Sequence, residues 1–68
     1  LKFKLNDYVY TINKFDEAIK IDQKRIKAIN ETCLGTIYDC LGTDNEIEIC
    51  FESNLYTLED LINEDFTA

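Results

Sequence analysis

The chain has 68 residues, a formal net charge of −7 and 46% apolar residues, with four Phe, four Tyr, three Cys and no His, Pro, Trp or Met. One domain spanning residues 1–68 follows from that length, and burial of only about 60% of the unfolded surface is expected. The apolar content excludes a disordered tail, and the missing His excludes an imidazole base and the standard catalytic triad.

Lys2 to Ile12 reads KFKLNDYVYTI. Phe3 and Leu5 alternate with Lys2 and Lys4, Asn6-Asp7 interrupts, and Tyr8 to Ile12 resumes with β-branched and aromatic residues. This predicts an extended lead-in, a turn with Asn6 left-handed, then a strand with Val9 and Thr11 on one face and Tyr8, Tyr10 and Ile12 on the other. Asn13 to Glu17 is a polar connection carrying Phe15.

Residues 16–31 admit two readings. Phe15, Ile19, Ile26, Ile29 and Cys33 approximate a helical stripe, with acids opening the segment and bases closing it. Alternatively, Ala18 to Ile21 is extended, Asp22-Gln23 turns, and Arg25 to Asn30 is a strand with Ile26 and Ala28 inward. The strand reading is preferred, because a hairpin plus one strand needs more sheet to bury its faces.

Gly35 is expected at positive φ. The strongest local signal follows, TIYDCLGTDNEIEICFE from Thr36 to Glu52, two apolar-rich runs around Gly42-Thr43-Asp44-Asn45. A two-residue tip at Thr43-Asp44 sets Leu41 opposite Glu46, Cys40 opposite Ile47, Tyr38 opposite Ile49 and Thr36 opposite Phe51. That register puts Tyr38, Cys40, Ile47, Ile49 and Phe51 on one buried face. Ile37, Asp39, Leu41, Glu46, Glu48 and Cys50 take the other. Leu55-Tyr56 reads as a brief edge strand. Thr57 caps a short helix, with Glu59 and Asp60 in its first turn and Leu58, Leu61 and Ile62 on one side. Glu64 to Ala68 is expected to fray.

The segments KFKLNDYVYTI, IKAI, TIYDC…EIEICFE and NLYTLEDL resemble the very small SH3-like barrel proteins of phages and mobile elements of low-GC bacteria. Asn6 and Gln23 stand where such proteins commonly have Gly. The resemblance implies a barrel and an interaction role, with no catalytic residues. The expected fold is therefore mainly β, a small SH3-like antiparallel barrel with a short C-terminal helix. The alternative is α+β, with residues 16–31 helical on a three-stranded sheet.

Charge is one-sided. All seven Lys and Arg precede residue 28, whereas residues 33–68 hold nine Asp and Glu. Direct nucleic-acid binding is disfavoured, since phosphate contacts need clustered cations. Three cysteines without C-x-x-C spacing suggest reduced thiols in a cytoplasmic protein rather than a zinc site. No signal, lipidation or membrane-spanning pattern is present in the sequence. Its start at Leu1 predicts removal of an initiator Met or of a longer N-terminus.

No side chain near Cys33, Cys40 or Cys50 would lower a thiol pKa, so no enzyme is expected. Asp39, Glu46 and Glu48 lack a calcium-loop pattern, and no metal or cofactor is expected. Tyr8, Tyr10, Tyr38, Phe51 and Tyr56 are read as packing rather than as a cation cage.

The remaining candidate surface is acidic. Asp39, Leu41, Asp44, Glu46, Glu48, Glu52, Glu59 and Asp60 are the expected partner-binding residues. Alternate strand positions lie ~7 Å apart, near the spacing of phosphates on one nucleic-acid strand. The expected function is a non-catalytic protein-interaction module. Its most concrete form is a mobile-element inhibitor, of anti-CRISPR or anti-restriction type, that presents acids to a basic nucleic-acid-binding protein. The rival is a structural or adaptor subunit of a phage or plasmid system, homo-oligomer included, whose acids serve solubility.

Overall fold

A computed structural model of the protein describes residues 2–63; the fraying expected at 64–68 lies outside the described residues. Four antiparallel strands form one sheet in the order β1-β2-β3-β4: β1 (Tyr8–Lys14), β2 (Ile19–Thr32), β3 (Gly35–Gly42) and β4 (Ile47–Phe51). A single 3-10 turn (Glu52–Asn54) and helix α1 (Leu58–Asn63) complete it. The fold is thus mainly β and barrel-like, with a short C-terminal helix. Residues 16–31 are not helical.

The lead-in turns at Asn6, whose φ is 71°. The Asp7 amide donates to the Lys4 carbonyl at 3.1 Å, and the Asp7 carboxylate accepts from the Lys4 amide at 2.9 Å. Asn tolerates the left-handed region at modest cost, which is why the turn sits there. Phe15 and Ala18 exchange backbone hydrogen bonds at 2.8 and 3.4 Å across Asp16-Glu17. That tight turn converts the helix-like stripe into a hairpin.

The β2 strand is longer than expected. It runs through Asp22-Gln23 without a turn, because those residues pair with Thr11 and Tyr10 of β1. A bulge separates Ile26, opposite Cys40, from Ala28, opposite Asp39. One extra residue reverses the facing of everything after it. The expectation that Ala28 points inward is therefore corrected: Ile29 packs on the core instead. Gly35 has φ 122°, as expected, and closes the β2–β3 turn.

The core comprises Phe3, Val9, Ile26, Tyr38, Cys40, Cys50 and Leu55. The Phe3 ring meets Tyr38 edge-on with centroids 5.6 Å apart. Tyr56 and Tyr10 exchange backbone hydrogen bonds at 2.9 Å each, tying the chain after β4 to the free side of β1. The brief edge strand expected at Leu55-Tyr56 is reduced to one isolated bridge at Tyr56. Thr57 and Asp60 form a reciprocal cap: the Thr57 hydroxyl accepts from the Asp60 amide at 3.0 Å, and the Asp60 carboxylate from the Thr57 amide at 2.9 Å. Leu58 and Ile62 on α1 are exposed.

Candidate protein-interaction face

The β3–β4 hairpin sets the site, and its loop has three residues rather than two. Gly42 donates to the Glu46 carbonyl at 2.9 Å, Asn45 donates to the Gly42 carbonyl at 3.1 Å, and Asn45 has φ 65°. This is a turn closed by a left-handed residue, one of the common hairpin solutions. The Asp44 carboxylate fixes it by accepting from the Glu46 amide at 3.1 Å.

One residue more in the loop shifts the register by one and flips every β4 side chain. The pairs are Leu41 with Ile47, Cys40 with Glu48, Asp39 with Ile49, Tyr38 with Cys50 and Ile37 with Phe51. The expected register, with Ile47, Ile49 and Phe51 buried beside Tyr38, is overturned. Glu48 and Cys50 share the inner face with Tyr38 and Cys40. Ile47, Ile49 and Phe51 share the outer face with Ile37, Asp39 and Leu41. They are 54%, 67% and 51% exposed.

The acids no longer form one row. Glu48 reaches Lys24 of β2 at 3.3 Å, and the Lys24 side chain is only 10% exposed. Burial by itself lowers the Lys24 pKa, but the hydrogen bond and charge of Glu48 outweigh it, and the pKa is raised. Glu52 accepts a hydrogen bond from the Tyr38 hydroxyl at 2.5 Å. Asp60 is engaged in the α1 cap and lies 3.7 Å from Lys2. The cap hydrogen bonds, chiefly from the Thr57 backbone, hold its carboxyl below the usual range. Asp44 stands at the hairpin tip, Glu46 just beyond it, Asp39 half-buried on the outer face beside half-buried Leu41, and Glu59 exposed on α1. The structure therefore joins Asp39, Leu41, Asp44 and Glu46 on one hairpin, turns Glu48 and Glu52 to internal partners, and leaves Glu59 and Asp60 on a separate element.

Sequence reasoning missed Ile47, Ile49 and Phe51 as surface residues. Their signal was the strict alternation IEICF, which fixes a common face but not which face.

The aromatic residues do not gather into a cage. Tyr38 lies in the core, Phe51 points to the opposite face, and Tyr8 lies under the Arg25 guanidinium at 5.4 Å. Burial pushes the Cys50 thiol up to about 12 and also raises that of Cys40. Both are poor nucleophiles, since reactivity follows the thiolate. Among the described residues no three His, Cys, Asp or Glu side chains are placed to hold a metal ion, and no helix is long and apolar enough to cross a membrane. No family model, curated protein or solved structure matches the chain.

Proposed function

We propose that this chain is a non-catalytic protein-interaction module that docks through the outer face of the β3–β4 hairpin. The observation that carries this reading is the exposure of Ile47, Ile49 and Phe51, three large apolar side chains in one row beside Ile37 and Leu41. A contiguous exposed apolar patch marks an interaction surface more often than a solvated one. Apolar anchors supply affinity, and the acids around them supply orientation and encounter rate.

The narrower form is a mobile-element inhibitor, of anti-CRISPR or anti-restriction type, whose partner is a basic nucleic-acid-binding protein. Asp39, which shares the outer face with the apolar row, supports it, as does the lack of any cation after Lys27. The resemblance to small SH3-like phage proteins favours the same class. The second reading is a structural or adaptor subunit, favoured by the pairing of Glu48 and Asp60 with the chain's own lysines.

The test is capture from a bacterial lysate on immobilised wild type, Ile49→Ser and Glu46→Lys, read by mass spectrometry and salt elution. A protein held by wild type, lost on Ile49→Ser and released by rising salt supports the inhibitor form. A protein lost on Ile49→Ser but indifferent to salt and to Glu46→Lys supports the adaptor. Identical capture on all three rejects the hairpin face.

A further inference from the structure

We infer that β4 is a docking edge that takes up a basic, extended peptide segment of another protein as an additional strand. This rests on the interaction-module reading above and names the mode and partner chemistry of the same hairpin.

In antiparallel pairing, hydrogen-bonded pairs alternate with non-bonded ones. Gly42 donates to Glu46, so the bonded pairs continue as Cys40 with Glu48 and Tyr38 with Cys50. The backbone N–H and C=O groups of Ile47, Ile49 and Phe51 therefore point away from β3. The sheet ends at β4, and no strand lies on that side among the described residues.

What lies there is a cleft of about 330 Å³ between β4 and β1. Glu48, Ile49 and Phe51 line one bank; Thr11, Ile12 and Asn13 line the other. The β1 bank is also open. Tyr10 exchanges both its backbone bonds with Tyr56 on the side away from β2, so by alternation Ile12 faces the cleft. An entering strand finds backbone partners on β4 and, beyond the Tyr10–Tyr56 bridge, on β1. Unpaired edges of this kind are templates for strand addition.

Side-chain chemistry selects the occupant. Residues of an added strand alternate between the two faces. On the inner side they meet Glu46, in phase with Glu48 on the hairpin, and Glu48 itself, whose side chain stays 60% exposed beside Lys24, together with Thr11 and Asn13, which suits Lys or Arg. On the outer side they continue the row of Ile47, Ile49 and Phe51, which suits Val, Ile or Leu. A second copy of this chain fits poorly: antiparallel β4–β4 pairing about Ile49 sets Glu46 opposite Glu52, and no Lys or Arg follows Lys27 to neutralise them.

The experiment uses a capped synthetic peptide of about seven residues alternating Lys and Val, long enough to span β4. It is titrated into the full chain, into the chain carrying N-methyl-Ile49 made by chemical synthesis, and into Ile49→Ser. N-methylation removes one outward N–H and keeps the side chain. Strand addition predicts saturable binding to wild type, at least about tenfold loss on N-methylation, and at least about tenfold loss when Glu replaces Lys in the peptide. It also predicts that the amides of Ile47 and Ile49 gain exchange protection in the wild-type complex, a readout that stands even if the methylated chain fails to fold. Equal binding to wild type and the N-methyl chain, with loss on Ile49→Ser, overturns strand addition and leaves the hairpin-face reading intact. No binding of the Lys/Val peptide, protection of those amides in the peptide-free chain, or an edge-paired dimer also overturns it.

Discussion

The Lys24 ammonium lies 3.3 Å from the Glu48 carboxylate, joining β2 to the inner face of β4 across β3. The two partners are unequally solvated, with side chains 10% and 60% exposed. Removing one or the other should therefore have different consequences. Glu48→Gln leaves a nearly buried ammonium without its counter-charge and should cost about 1–2 kcal/mol; Lys24→Met leaves a solvated carboxylate and should cost less than about 1 kcal/mol. Urea denaturation of both variants checks the order. Equal costs would mean that Lys24 reaches water freely.

The loop residue Asn45 holds the register. At φ 65° a β-branched side chain is strained, so Asn45→Val should destabilise by about 1–2 kcal/mol, whereas Asn45→Gly should be neutral or slightly stabilising. Denaturant midpoints with unchanged slope confirm this. A neutral Asn45→Val would point to the two-residue tip.

Alkaline pH should weaken the fold. Burial pushes Cys50 from 9.0 to about 12, and burial followed by the Glu52 hydrogen bond pushes Tyr38 from 10.0 to about 12. In this range the folded chain retains protons that the unfolded chain has released. Stability contributed by these groups is full below pH 9.0 and is lost as pH rises towards 12. Melting temperature should fall steadily above about pH 9, and Tyr38→Phe should flatten the upper part of that fall. A flat profile would place both groups in water.

The α1 cap responds at the opposite extreme. Asp60 has a lowered pKa, first because of its hydrogen bonds with Thr57. Its contribution is present above its ordinary value of 3.8 and is lost as pH falls through the lower folded value. Helical ellipticity should decline only in that acid range, and Thr57→Ala should remove about 1 kcal/mol at neutral pH.

The features legible in the sequence are those set by one or two residues. Asn6 and Gly35 mark positive φ by their chemistry, and Thr57 with Asp60 forms the expected cap. The features that escaped depend on a count of one. Whether Asn45 belongs to the loop or to β4 decides the facing of Ile47, Ile49 and Phe51, and both choices leave an alternating pattern. The bulge after Ile26 is likewise silent, since Ile26, Ala28 and Ile29 offer apolar residues in either phase. The acids of the hairpin were legible as a group. The internal engagement of Glu48 by Lys24 was not, because it joins strands that are far apart in sequence.

Amide hydrogen exchange along β4 of the isolated protein tests the account most directly. The structure assigns the Glu48 and Cys50 amides to the ladder and those of Ile47, Ile49 and Phe51 to the open edge. Slow exchange at Glu48 and Cys50 with fast exchange at Ile47, Ile49 and Phe51 is the predicted result. Ile49 exchanging as slowly as Cys50 would contradict the register, the free edge and the docking surface together.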